Sequence, residues 1–436
     1  MKDSSDLMPI AVLTAACQEG DIPREEFENE PLGAARKSLF AWIDIAREKG
    51  LNGLQVSAAL CRPDAYVPPE AMLDPVGAQL PIRTAKNGKG VDLSDEHAEE
   101  IIAACGDDIK IFDIGFFENL LHRDPKIRNQ VHEHLLRCAR AAVKLKAVGC
   151  RGVTTFIGRD TRLSMDENLR LYEKYVIPLL EEFKKLGLIL WIENCPMPGW
   201  SLDDVYVQNI AYCPGMWILL VRIADKHCVG DVLRITYDAS HDILMGSTPF
   251  ASFSLLKEAG FEDAIDKIHG KDQNRNRAKV AAWGMLGQRA GLGITVAGKL
   301  VTDPKLMSNA WGRMTAHHTL PGISEYNPYA QICGEKVDWV EHQLDARSIL
   351  GIIPANSVFI IEHEWGPARD QNIKRVSTLI GISAKFVRGA DMTAAGIFEA
   401  QKACRKLKLP WQTAPNPNRI IPGLQEEVAR ILAIPV

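Results

Sequence analysis

No run of about 18 uninterrupted apolar residues occurs in the chain, so a membrane-spanning helix is not expected. Lysine and arginine never gather into a long run, and the formal net charge is −4. That leaves no electrostatic footprint for nucleic acid or an anionic membrane. The ten cysteines form no CxxC pair and no framework spacing. They read as reduced, mostly buried thiols of a cytoplasmic protein rather than as a disulfide scaffold. No short internal repeat and no low-complexity tract interrupt the chain. No GxGxxG turn follows an early strand, as the open doubly wound sheet would require. No glycine loop of the phosphate-cradling kind is present either, which favours non-phosphorylated substrates. The opening MKDSSDLMPIAVLTAAC has one lysine, then acids, and its apolar run leads straight into QEGD. It resembles a first strand more than a signal peptide.

What is present is an ordinary globular composition, 46% hydrophobic and 24% charged over 436 residues. Strand-like apolar runs alternate with longer helical patterns. The strands are expected at 9–16, 53–59, 109–115, 152–158, 188–194, 233–239, 264–272 and 357–364. Ser94 is placed to cap a helix with acids in its first turn. Two further helical patterns, 129–149 and 165–187, stop at Gly149 and Gly187. Eight strands alternating with helices predict a parallel sheet covered by helices and closed as a (β/α)8 TIM barrel. The barrel domain is expected over 1–390. Its segment 273–350 is too long for one connection and reads as an enlarged loop between strands seven and eight, over the barrel mouth. Residues 391–436 form a helical, Pro-rich extension that either wraps the barrel or contacts another subunit.

In such a barrel the C-terminal strand ends face the active site. Strand five ends in WIEN, placing Glu193. Strand six ends in TYDASH, placing Asp238 and His241. Strand seven ends in KIHGKD, placing His269, Lys271 and Asp272. Strand eight ends in FIIEHEW, placing Glu362 and Glu364. Taken singly, a carboxylate at a strand end pairs with an arginine or caps the next helix, and a lone histidine is a satisfied core residue. Four consecutive strands ending this way on one rim are a different matter, because crowded like charges repel unless a cation neutralises them. Carboxylates with an imidazole suit Mn²⁺, Mg²⁺ or Co²⁺ with positions left open for substrate oxygens. The lack of a thiolate argues against a closed structural zinc site.

Over about residues 9–370 the chain resembles the sugar isomerase/epimerase superfamily with the xylose-isomerase-like barrel. The motifs are GVTTFIGRD, WIENCPM, YDASHDILMG, IHGKD, LPG…KVDW and FIIEHEW, in the family's order. The resemblance implies that Glu193, Asp238, His269 and Glu362 bind one divalent metal, commonly Mn²⁺. Glu362 is preferred to Glu364 because it ends the apolar run, although alternation lets both point inward. His241 would contact a substrate hydroxyl. Arg275 stands where such epimerases place a substrate-binding arginine, with Arg277 as its competitor. Ala239 replaces the proline usual after the aspartate, which removes rigidity but no ligand. The segment ISEYNPYAQICGEK interrupts LPG…VDW and would reshape the substrate pocket.

The expected reaction is proton transfer next to a sugar carbonyl, through a metal-stabilised enediolate. Glu193 and Glu362 are the acid/base pair, giving epimerisation from two faces or aldose–ketose isomerisation from one. Lys271 and Glu364 join the substrate pocket, and Trp191, Trp283 and Trp365 are candidate apolar faces for a sugar ring. Asn194 is a candidate to steer Glu193. A lyase could use the same first step to dehydrate a keto-inositol or cleave a keto-glycoside or C-glycoside. A non-catalytic sugar-binding barrel is a third reading. The related DNA-repair endonucleases would need more histidines on the early strands, and strands two and three end without any. The expected partner is a small sugar, with no nucleic acid and no membrane. Dimers and tetramers are common for such barrels.

Overall fold

The computed structural model describes residues 9–14, 31–58, 90–197, 207–238, most of 241–270 and 357–362, with short pieces near 80–84, 294–301 and 377–384. All eight expected strands form: β1 (Ile10–Leu13), β2 (Gly53–Ser57), β3 (Lys110–Gly115), β4 (Gly152–Thr155), β5 (Ile189–Glu193), β6 (Leu233–Asp238), β7 (Ile265–Gly270) and β8 (Val358–Ile361). Each pairs in parallel with its sequence neighbour, and β8 returns to β1 with Ile10 opposite Phe359, so the sheet closes into a barrel. Parallel strands covered on both faces favour near-continuous apolar runs, which is how ILWIE and VFII read. The short strands between β2 and the next helix, Arg83–Thr84 and Gly90–Val91, form an antiparallel pair outside the barrel. A second antiparallel pair, Ile294–Val296 with Lys299–Val301, belongs to the long β7–β8 connection. The rest of 273–350 and the 391–436 extension lie outside the described residues.

The helices between strands are α1 (Pro31–Glu48), α2 (Asp95–Cys105), α3 (Pro125–Lys144), α4 (Met165–Tyr175), α5 (Ile177–Leu186), α6 (Pro214–Lys226) and α7 (Pro249–Glu258). In α1 the buried Leu39, Trp42, Ile43 and Ala46 recur three and four residues apart, one stripe facing the barrel. Each large side chain so buried contributes roughly 1.5–3 kcal/mol of transfer free energy. Ser94 caps α2 as expected, accepting from the His97 backbone N–H at 3.1 Å. Gly187 stops α5 with φ of 63°, whereas α3 ends at Lys144 and Gly149, with φ of 95°, closes the short 3-10 turn Lys146–Val148 that follows it; both are left-handed conformations a side chain would resist.

One helical pattern divides. Residues 165–187 read as a single amphipathic run, yet the chain breaks at Val176 into α4 and α5. Pro178 is the cause: it has no N–H for the preceding turn, and its ring crowds that turn's carbonyl. Proline is accommodated in the first turn of a new helix, where α5 holds it.

The barrel interior is divided. On the β8 and β1 side, Ala11, Leu13, Val358 and Ile360 form a small apolar cluster of their own. The other side is polar. Lys267 on β7 reaches Asp113 on β3, and His269 on β7 reaches Gln55 on β2. None of these strand pairs is adjacent in the sheet, so the side chains meet through the lumen.

The capping box of α4 supplies a local test. The Ser164 hydroxyl accepts from the Glu167 backbone N–H, and Glu167 accepts from the Ser164 N–H at 2.8 Å. Ser164→Ala is expected to cost about 1 kcal/mol of stability, read from the urea midpoint, because two helix-end donors lose their acceptor geometry together.

Candidate metal centre and active site

The alternation of the strands brings four side chains to one point. Glu193 ends β5, Asp238 ends β6, His269 is the penultimate residue of β7, and Glu362 follows β8 directly. All four are buried, and one donor atom from each lies within 4.8 Å of the others. His269 is central: its Nδ1 is 3.2 Å from Glu193 Oε2 and 2.9 Å from Glu362 Oε2. His241, just beyond β6, adds its Nε2 at 2.9 Å from both Glu193 Oε1 and Asp238 Oδ2. The sheet register agrees with this meeting, since Asp238 stands opposite His269.

The cluster concentrates negative charge, and its two imidazoles respond to it. Burial alone would lower the pKa of His269, but the Glu193 and Glu362 carboxylates overrule it and push the imidazole up to about 10. His241 behaves alike: burial opposes its charge, and Asp238 and the Cys195 thiol carry it well above its ordinary value. Two unit charges about 4 Å apart in a medium of effective dielectric 20 repel by roughly 4 kcal/mol. Three carboxylates withdrawn from water therefore call for positive charge. Three oxygen donors and one nitrogen fit a hard-to-borderline divalent ion. The four residues could hold such an ion.

The other predicted site residues divide into two groups. Lys271, Asp272, Arg275, Arg277, Trp283, Glu364 and Trp365 lie outside the described residues. Trp191 is a core side chain: it is 1% exposed, Lys267 Nζ lies 3.3 Å from its ring centre, and its indole N–H donates to Asp266. It offers no face to a ligand at the mouth. Asn194 does not address the Glu193 side chain. Its amide donates to the Asp238 carbonyl at 2.9 Å and accepts the Asp238 N–H at 2.7 Å, locking the end of β6 against β5.

Two buried groups escaped the reading of strand ends. Gln55, Asp113, Thr154 and Lys267 form a polar layer below the cluster. Burial draws the Lys267 ammonium down to about 8, against the opposing pull of Asp113 at 2.5 Å. The only signal was the charge inside the apolar runs IKIFDIG, with Lys110 and Asp113, and AIDKIHG, with Asp266 and Lys267. The second group anchors the turn that carries His241. Asp242 accepts hydrogen bonds from the Tyr237 and Ser252 hydroxyls, and its carbonyl accepts from the Ser247 N–H at 2.8 Å.

No family model matches the chain, and no curated protein matches it. Among solved structures, the apo 3-keto-D-glucoside 4-epimerase YcjR from E. coli is 10% identical, with 87% of this chain and 99% of that chain covered and a TM-score of 0.47. An L-ribulose 3-epimerase is also 10% identical, covering 92% and 99%, with a TM-score of 0.47. The IolI protein with a bound zinc atom is 12% identical, covering 88% and 99%, with a TM-score of 0.49. The chain is similar to these barrels in shape. The barrel of this chain rests on its own closed strand pairing.

The Asp242 anchor predicts a pH dependence. Burial pushes its carboxyl from near 3.8 up to about 6, although the Ser252 and Tyr237 hydroxyls pull it down. Between about pH 4 and 6 the unfolded chain has released this proton and the folded protein still holds it. Stability contributed by the group therefore falls as pH rises through that window. Asp242→Asn removes this part of the slope. Urea midpoints from pH 4 to 7 should show the variant gaining on the wild type by on the order of 2 kcal/mol. Parallel profiles would refute the assignment.

Proposed function

We propose that the protein is a divalent-metal-dependent sugar isomerase or epimerase that moves a proton next to a carbonyl. The convergence of Glu193, Asp238, His269 and Glu362 at the C-terminal mouth of a closed barrel carries this reading. These four residues would hold one ion, Mn²⁺ first, with Mg²⁺ and Co²⁺ also suited to the donor set. When bound, such an ion supplies electrophilic stabilisation of negative charge on the substrate oxygens.

The rest of the chemistry falls to the chain. Glu193 and Glu362 stand on β5 and just past β8, with β6 and β7 between them, so their carboxylates enter the mouth from two directions. One removes the proton beside the carbonyl and the other returns it to the opposite face, which inverts the centre. Return from the same side, to the neighbouring carbon, interconverts aldose and ketose. His241, already 2.9 Å from Glu193 and Asp238, is placed to orient a hydroxyl at the cluster. Lys271, Arg275, Trp283 and Glu364 complete the pocket in this reading. The substrate is a small, non-phosphorylated sugar or sugar derivative. Six described cysteines are free thiols, which supports a reducing, cytoplasmic setting. Among the described residues no helix is long and apolar enough to cross a membrane.

Two measurements test the proposal. Chelator-treated protein titrated with Mn²⁺ should bind one ion per chain, with a thermal midpoint higher by several degrees at saturation. His269→Gln should weaken that binding by more than about a hundredfold. Incubation with ketoses, aldoses, inososes and 3-keto-glycosides in D₂O should give metal-dependent deuterium uptake at an α-carbon. Glu193→Gln and Glu362→Gln should each slow it by about 10²–10⁴-fold. Full activity after chelation, or in both variants, would sink the proposal. Loss of water or an aglycone would identify a lyase using the same first step. Sugar binding without exchange would identify a non-catalytic barrel.

A further inference from the structure

The lumen below the cluster holds a chain of hydrogen bonds whose polarity can be followed from one end to the other. Lys267 Nζ donates to Asp113 Oδ2 at 2.5 Å and to Thr154 Oγ1 at 2.7 Å. The Thr154 hydroxyl gives its own proton to Asp113 Oδ2, so it meets Lys267 and the Thr236 hydroxyl, 3.2 Å away, as an acceptor. The same Asp113 oxygen accepts from Gln55 Nε2 at 2.8 Å. Asp113 Oδ2 accepts from the Lys267 ammonium and from the Thr154 hydroxyl, so the amide of Gln55 turns its nitrogen towards the same acceptor. Its oxygen then faces His269 Nε2, 2.7 Å away. An amide oxygen cannot donate, so Nε2 carries the proton of that bond. The reverse amide orientation would set oxygen against oxygen at Asp113. Gln55, Asp113, Thr154 and His269 are completely buried and Lys267 is nearly so.

We propose that Gln55 is a positioning residue for the metal centre: held by the Lys267–Asp113 pair, its amide oxygen keeps the His269 proton on Nε2 and makes Nδ1 the atom His269 offers to a cation. The inference rests on the reading of the four-residue cluster as a metal site. It agrees with the ring's orientation, since Nδ1 is the nitrogen facing Glu193 and Glu362. An outer hydrogen bond of this kind fixes ring orientation and tautomer at many metal-bound histidines. Here the holder is a neutral amide whose direction is set by a buried ion pair. Lys267 lies two residues before His269 on β7, so one strand presents both the ligand and the cation that orients the ligand's partner.

The test uses the full-length protein and needs no turnover. With ¹⁵N-labelled histidine and Zn²⁺ as a diamagnetic probe, His269 (assigned by its loss in His269→Gln) should show a protonated Nε2 and a metal-shifted Nδ1. Mn²⁺ titration of Gln55→Leu should show affinity lower by about 10–100-fold. Gln55→Glu keeps an acceptor for the Nε2 proton but sets a carboxylate against Asp113, so it should recover Mn²⁺ affinity only in part relative to Gln55→Leu. A residue that merely fills the lumen would lower the thermal midpoint in Gln55→Leu while leaving Mn²⁺ affinity unchanged. That result overturns the proposal, as does Zn²⁺ ligation through Nε2, and in either case the metal site itself stands. If the wild type binds neither ion, the metal-site reading and this inference fall together.

Discussion

Repulsion among buried carboxylates is the constraint around which this barrel is organised. Glu193, Asp238 and Glu362 are brought together by strand ends that cannot move independently, because each strand is hydrogen-bonded to two neighbours. Two buried imidazoles from β7 and the β6 turn are drawn into the same cluster. Their proton affinity is raised by the acids, against the cost of burial. The surrounding bonds hold the charged groups in place: Asn194 locks the ends of β5 and β6, and Asp242 anchors the turn bearing His241. In the proposed reading a cation relieves this repulsion, which the closure of the sheet concentrates at one point.

A second charge balance lies one layer deeper. Lys267 and Asp113 cross the lumen from opposite strands, and a buried pair of this kind gains little net stability over an apolar filling. Its presence is better understood through what it orients. A point charge at Lys267 holds Asp113 as the acceptor towards which Thr154 and Gln55 direct their protons, and that order arrives at His269. The apolar cluster on the β8 and β1 side has no such sequence of donors and acceptors.

The strands and the four converging residues were legible in the sequence because each sits where an apolar run ends in a ligand type. Periodicity alone carried the eight strands and the described helices between them, and Ser94, Gly149 and Gly187 marked helix ends by local chemistry. The break at Val176 was carried by Pro178 but outweighed by the regular apolar spacing on either side of it. Contacts across the lumen could not be read in this way. Gln55 and His269 are 214 residues apart, and Lys267 and Asp113 are 154 apart. Nothing local in GLQVSAA says that its glutamine meets strand seven. Asn194 shows the same limit: its adjacency to Glu193 suggested the wrong partner, because neighbours in a strand point to opposite faces while its amide reaches the next strand.

The crossing of Lys267 to Asp113, with the Trp191 ring pressed beneath the ammonium, also fills the barrel from side to side. Among the described residues, Lys267, Asp113, Thr154 and Trp191 occupy the lumen beneath the cluster. In the proposed reading, an ion would reach Glu193 and Glu362 from the C-terminal side of the strands rather than through this layer.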